Sequence, residues 1–313
     1  MSIYLGIDTS NYTTSCAVFN SASSEVVSLR KLLPVKSGDK GIRQSDAVFH
    51  HTKQLPGLMS KLFKNTDKAD AVSYSAAPRN IDDSYMPCFL VGECAAVSIA
   101  SSSGARLYRT HHQTGHILAA LYSCKRLDLL KSNKSFVALH VSGGTTDMLL
   151  CTPCKENVLD IEQIGGSLDL KAGQAVDRVG VMLGLDFPCG IELEKLAAKS
   201  NAEFRIKPVI KGLDCCLSGL ENKCRDMHNS DYPADDIAKY CLEYIGSTIC
   251  AMCVNAVDKY GDMPMVFAGG VMSDVLIKKM ILSRLNGFFA EPEFSCDNAV
   301  GTALFGALKE GVI

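Results

Sequence analysis

Ser2–Asn20, SIYLGIDTSNYTTSCAVFN, decides the fold. SIYLGID is apolar and rich in β-formers, TSNYT is turn-like, and TSCAVFN is β-rich again, so the stretch reads as strand, turn, strand. The same unit restarts at Ser135: SFVALHVSGG is a strand running into a turn, and TTDMLLCT is the returning strand. EVVSLRKLL (Glu25–Leu33) and LDIEQIGG (Leu159–Gly166) supply a third strand to each unit. Two similar hairpin units, each followed by helical segments, predict an α/β chain with two related lobes, their mixed sheets flanked by helices.

Between the hairpins, Val48, Leu55, Leu58, Met59 and Leu62 have helical spacing over residues 47–64. Residues 69–75 read as a strand. PCFLVGECAAVSIA (Pro87–Ala100) is apolar nearly all round and predicts a helix buried on every side. Further helices are expected at about 170–183, 191–199, 216–228, 234–259, 273–284 and 298–310, with PMVFAGGV as a late strand. The first lobe is expected at 1–110, with 298–313 returning to it, and the second at 111–297; charged 125–134 is a candidate connection.

The chain has 313 residues, 47% of them hydrophobic, which is enough for a sizeable core; a net charge of −2 leaves any nucleic-acid contact to a local patch or a partner. MSIYLGIDTS does not read as a signal peptide, and no apolar run reads as long enough to span a membrane. The expectation is a cytoplasmic protein whose 14 cysteines are reduced. Two pairs have C-x-x-C spacing: Cys151/Cys154 reads as a turn and Cys250/Cys253 as part of a helix, both as packing residues.

Four motifs carry chemistry. The turns Asp8–Ser15 and Ser142–Asp147 combine small residues, hydroxyls and an acid, as a backbone anion cradle does. Thr9, Ser10, Ser142, Gly143, Gly144 and Thr145 are candidate phosphate-binding positions, and Asp8 could orient Mg²⁺ or a water. AGGVMSD (Ala268–Asp274) ends a strand in Gly269 and Gly270 before a helix, a common approach point for adenosine or phosphate. In RTHHQTGHILAA (Arg109–Ala120), His112 and His116 stand four apart and share a helix face. Neutral imidazoles suit zinc or iron, and Asp297 in CDNAVG is a candidate third ligand. Gln113 and Thr114 cannot serve as the general base of an H-E-x-x-H protease. Finally, GGSLDLKAGQAVDRVGVMLGLDFP sets Asp169, Lys171 and Asp177 around a helix start. An interior glycine costs about 1 kcal/mol against alanine, so Gly173 points to close approach by a ligand or another helix.

Together LGIDTS, HHQTGH, VSGGTTD, GQAVDRVGVMLGLDFPCG, LDCCLSGLENK, AGGVMSD and CDNAVGTALFG resemble the TsaD family, also called the glycoprotease-like or Gcp family, nearly end to end. The resemblance implies an actin-like ATPase (ribonuclease H-like) fold, with the whole chain one Gcp-like domain. It implies a metal-dependent transferase that moves a threonylcarbamoyl group from threonylcarbamoyl-AMP to N6 of adenosine 37 in tRNA. One divalent metal, iron or zinc, would lie on His112, His116 and Asp297. Adenylate or ATP, with Mg²⁺, would lie on the glycine turns, with Asp177 and Gly190 lining the site. Asp8 and Asp177 are the candidate catalytic acids. Expected partners are tRNA, a paralogous subunit and a small ATPase; no membrane is expected. Arg106, Arg109, Lys125, Arg126 and FRIKPVIK (Phe204–Lys211) are candidates for a basic path to tRNA.

The chain also departs from the family. Asn11-Tyr12-Thr13-Thr14 stand where C-D-E-T is usual. Thr114, Thr145 and Leu170 replace a glutamate, a histidine and an aspartate, and Asp274 replaces an asparagine. Two other readings stay open: a related carbamoyltransferase with a different acceptor, and a noncatalytic nucleotide-binding subunit.

Overall fold

The computed structural model describes residues 2–10, 12–34, 42–66 and 68–313. The chain divides into two compact units, one of 1–133, 153–161 and 296–313, the other of 134–152 and 162–295. This differs from the expected division at 110/111, since 111–133, 153–161, 296 and 297 group with the first unit.

In the first unit β1 (Ile3–Asp8), β2 (Thr13–Asn20) and β3 (Glu25–Leu32) run antiparallel. After α1 (Gln44–Leu62), β4 (Ala71–Ser75) pairs parallel to β1; after α2 (Phe89–Ser103), β5 (Arg106–Thr110) pairs parallel to β4. The sheet order is β3-β2-β1-β4-β5. α3 (His112–Ser123) follows at once. β1 is buried at every position, so both faces of the sheet centre are covered. The expectation for α2 was wrong in one respect. Gly92, Ala96 and Ala100 are buried, but Leu90, Cys94 and Val97 face solvent, so only one side of this apolar helix packs.

The second unit repeats the plan. β6 (Phe136–Val141) pairs antiparallel with β7 (Thr146–Cys154), which neighbours β8 (Val158–Gly166). Then come α4 (Ala172–Met182), α5 (Gly190–Ala197), a hairpin of β9 (Val209–Lys211) and β10 (Asp214–Cys216), α6 (Ser218–Asn229) and α7 (Ala234–Tyr260). β11 (Met265–Ala268) pairs parallel to β6; α8 (Val275–Leu282) leads to β12 (Phe288–Phe289), parallel to β11. The order β8-β7-β6-β11-β12 has the same sequence of antiparallel and parallel neighbours about β6 and β11 as the first sheet has about β1 and β4. α7 is long and apolar enough to cross a bilayer by length and composition, contrary to the sequence reading. Its Ile237, Cys241, Ile245, Ile249 and Cys253 lie in the core of this unit, and 61% of its most apolar window is buried.

α9 (Val300–Lys309) returns to the first unit, where Val300–Ala307 are all buried. Glycine permits two close approaches. A Cβ on Gly6 of β1 would lie 2.3 Å from the Ala303 backbone nitrogen, and one on Gly301 would lie 1.9 Å from the Gly115 carbonyl oxygen of α3. α3 and α9 therefore touch backbone to backbone, which explains why α3 groups with the first unit.

Candidate functional site

The α3–α9 contact brings remote residues together. His111 is the N-cap of α3, and the amides of His112 and Gln113 donate to the Ala77 and Pro78 carbonyls at 3.0 Å each. His112 and His116 then stand one turn apart, and Asp297 lies just before α9. His112 Nε2 and His116 Nε2 are 2.9 Å apart. Asp297 Oδ1 is 3.3 Å from His116 Nε2 and 3.6 Å from His112 Nε2. These are the separations of neighbouring ligands around one ion with bonds of about 2.0–2.2 Å. Among the described residues, this is the one group of three or more His, Cys, Asp or Glu whose ligand atoms converge so closely. Two imidazoles and one carboxylate suit zinc or iron(II). Thr114, between the histidines, is buried.

Asp8 closes the other side of His112. Its Oδ2 lies 2.9 Å from His112 Nδ1 and accepts from Ser75 Oγ at 2.5 Å, while Oδ1 accepts from the Ser10 amide at 2.9 Å. Burial alone would raise the Asp8 pKa, but the charge and hydrogen bond of His112, with Ser75 and Ser10, bring it below the usual value. Burial alone would lower His112; Asp8, by charge and hydrogen bond, and Asp297 lift it to about 9. Thr13 Oγ1 donates to Asp297 Oδ2 at 3.4 Å. Of the departures in this turn, Asn11 lies outside the described residues and Tyr12 is exposed, while Thr14, which matches the family's threonine, has its Oγ1 2.8 Å from His51 Nδ1 and 2.9 Å from Gln54 Oε1.

The expectation that the first turn presents its hydroxyls to a phosphate is only partly met. Thr9 is fully buried, its hydroxyl donating to the Cys88 carbonyl and accepting from the Gly92 amide, so it anchors the start of α2. Ser10 Oγ is buried without a hydrogen-bond partner. Asp8 accepts one donor at Oδ1 and two at Oδ2, all from the protein.

In the second unit, the Ser142–Thr145 turn has an internal frame. Ser142 Oγ and Thr145 Oγ1 are 2.8 Å apart, and the Ser142 amide donates to the Thr145 carbonyl at 2.9 Å. Gly143 and Gly144 are exposed, with open space where a side chain would be. Gly173, in the first turn of α4, sits against this turn. Its amide donates to the Ser142 carbonyl at 3.2 Å, and a Cβ would lie 2.6 Å from Gly143. The close approach is thus by the β6–β7 turn, neither by a ligand nor by another helix. Gly269, at φ +98°, lies against Val141, where a Cβ would be 2.2 Å from the carbonyl oxygen. The two glycine turns are therefore neighbours at the carboxyl ends of parallel β6 and β11, the usual place for ligands in such sheets. Gly270 is open. Asp274 does not face this opening as a free acid: it is the N-cap of α8, accepting from the Ile277 amide at 2.9 Å.

Asp177 Oδ1 accepts from the Cys189 amide at 2.9 Å, beside Gly190 at the start of α5; burial raises its pKa. Asp169 holds loops together, accepting from the Leu170, Leu217 and Ser218 amides and from the Ser167 and Ser218 hydroxyls. Burial alone would raise its pKa, but these donors, Ser218 first, bring it to about 2. Arg106, a candidate for the basic path, pairs with Glu310 at 2.5 Å, whereas Arg205, Lys207 and Lys211 all face solvent. CTPC lies within β7 rather than in a turn, and Cys250 and Cys253 are buried in α7; all 14 cysteines are free thiols.

The two five-stranded mixed sheets flanked by helices define an actin-like ATPase fold. The solved structures agree on the fold. HypF from T. kodakarensis matches at 14% identity with a TM-score of 0.59, over 99% of this chain and 48% of that one, so this chain spans about half of HypF. A ROK family glucokinase from Streptomyces griseus matches at 11% identity, TM-score 0.56, over 98% and 100%. Component A of the (R)-2-hydroxyglutaryl-CoA dehydratase of Acidaminococcus fermentans matches at 14% identity, TM-score 0.54, over 99% and 100%. The family model described as "TsaD: tRNA N6-adenosine threonylcarbamoyltransferase" matches residues 24–304, and the chain belongs to that family.

Proposed function

We propose that the chain is a metal-dependent transferase that moves the threonylcarbamoyl group of threonylcarbamoyl-AMP to N6 of adenosine 37 in tRNA. The observation that carries this reading is the convergence of His112, His116 and Asp297 in a chain of the TsaD family. In the reaction N6 attacks the carbonyl carbon. A C–N bond forms, the C–O bond to the AMP phosphate breaks, and N6 releases a proton. A divalent ion on the three ligands would supply Lewis acidity toward the carbonyl or phosphate oxygens. Gly143, Gly144 and Gly270 present open backbone to an adenylate phosphate, and Ser142 and Thr145 stiffen that turn. Asp177, steadied by Cys189, offers its second oxygen to a ribose hydroxyl. Gly190 leaves the rim beside it open.

We assign the protein to the cytoplasm and its partners to tRNA, a paralogous subunit and a small ATPase, on the family relation. The replaced acids favour a second reading, carbamoyl transfer to a different acceptor: Thr13 meets Asp297 with a neutral hydroxyl where the family has a carboxylate. The test is incubation of metal-loaded protein and its partners with threonylcarbamoyl-AMP and unmodified tRNA, then quantification of threonylcarbamoyladenosine. Product that disappears in His112→Ala is expected. AMP released without modified tRNA would replace this reading with the second, and neither product would sink both.

A further inference from the structure

We infer that Asp8 is a positioning residue for the metal centre, fixing His112 in the tautomer and orientation that aim Nε2 at His116 and Asp297. The inference rests on the metal reading above and assigns Asp8 away from the substrate. Three facts carry it. Asp8 is 1% exposed, and its oxygens already take Ser10 N, Ser75 Oγ and His112 Nδ1. An ionised carboxylate only accepts hydrogen bonds, so Nδ1 of His112 must carry a proton. A metal ion takes the place of the Nε2 proton and leaves the Nδ1 proton hydrogen-bonded to Asp8, so the ligating lone pair lies on Nε2, the atom that faces His116 Nε2 and Asp297 Oδ1.

Asp8 is itself held in place by the fold. It ends β1, Ser75 ends the adjacent parallel β4, and the Ser75 hydroxyl also reaches Thr302 Oγ1 on α9 at 3.3 Å. The sheet that orients His112 is thereby tied to the helix that follows Asp297. A carboxylate behind a ligating histidine sets ring orientation and basicity, and its loss weakens metal binding about 10–100-fold.

The test uses the full chain loaded with Zn²⁺. Nitrogen NMR of ¹⁵N-histidine-labelled protein, assigned with His112→Gln, is expected to show His112 protonated at Nδ1 and metal-bound at Nε2. Zinc on Nδ1 of His112 would overturn the inference, and this arm needs no change at Asp8. In a second arm, Zn²⁺ affinity is measured by competition with a chromophoric chelator, with folding checked by circular dichroism. Asp8→Ala is expected to bind about 10–100-fold more weakly, and Asp8→Asn less weakly than that, because its amide oxygen still accepts from Nδ1. A folded Asp8→Ala with wild-type affinity, beside a His116→Ala that has lost it, refutes the positioning role alone. A wild-type chain that binds no zinc refutes the metal reading beneath it.

Discussion

Asp274→Asn is expected to stabilise the second unit at neutral pH. Asp274 is 8% exposed, and its cap bond to the Ile277 amide is one an asparagine oxygen makes equally well. Burial raises its pKa from 3.8 to about 6, against the lowering effect of the Ile277 bond and with help from the nearby charge of Glu194. Glu194 is held there because its Oε1 accepts from the Val275 amide at 3.0 Å. The sign follows from proton binding. Below pH 3.8 both folded and unfolded states hold the proton. Between 3.8 and about 6 only the unfolded state ionises, so folding stability falls as pH rises; above about 6 the loss is complete. The gap of two pH units, at about 1.36 kcal/mol per unit, is worth about 3 kcal/mol. Urea unfolding of wild type and Asp274→Asn at pH 8 and pH 4 measures it. The variant is expected to gain about 2–3 kcal/mol at pH 8 and within about 0.5 kcal/mol of nothing at pH 4. Equal stability at pH 8, or a gain that does not depend on pH, refutes the reasoning.

Two further outcomes are expected. Gly301→Ala puts a methyl 1.9 Å from the Gly115 carbonyl oxygen, so α3 and α9 must separate; it should destabilise by at least about 1–3 kcal/mol and weaken Zn²⁺ binding, both read on the same purified protein. Asp169→Asn should lower the melting temperature at pH 7 but scarcely at pH 2. A carboxylate with its folded pKa depressed to about 2 stabilises above its ordinary 3.8 and loses that contribution as pH falls toward 2; a deficit that persists at pH 2 counts against the charge-based account.

The sheets were legible because both hairpins alternate apolar runs with small-residue turns, a local signal. The i,i+4 spacing of His112 and His116 placed both on one face of α3, and the accompanying motifs made them candidate ligands. Asp297 was named as a candidate third ligand, but its distance from the pair depends on the Gly115–Gly301 contact, which no spacing records. Ser75 and Asp8 behave in the same way: each ends a strand, and only the parallel β1–β4 register places them side by side. α2 misled because hydropathy counts apolar residues without saying how many neighbours exist to cover them. The β9–β10 hairpin has strands of three residues, too short for a period of two to show. Gly173 signalled a close approach correctly, but the approaching group was a turn that precedes it in the chain.

The replaced acids change the electrostatics more than the architecture. Thr13 keeps a hydrogen bond to Asp297 Oδ2 while bringing no charge, and Tyr12, where the family has an aspartate, is exposed. A carboxylate at position 13 would stand beside Asp297, and like charges at such range raise each other's pKa. With a hydroxyl there, Asp297 and Asp8 are the acids in contact with His112 and His116, and Asp8 is held below the usual range by His112, Ser75 and Ser10. The ligand set is therefore compatible with the substitutions, whereas any step of transfer that needs an extra acid near Asp297 has lost its group. On the proposed function, metal binding and transfer would thus be separable. On the proposed reading, Zn²⁺ affinity would depend on Asp8, His112, His116 and Asp297, all present, and the choice of acceptor on what Tyr12 and Thr13 no longer offer.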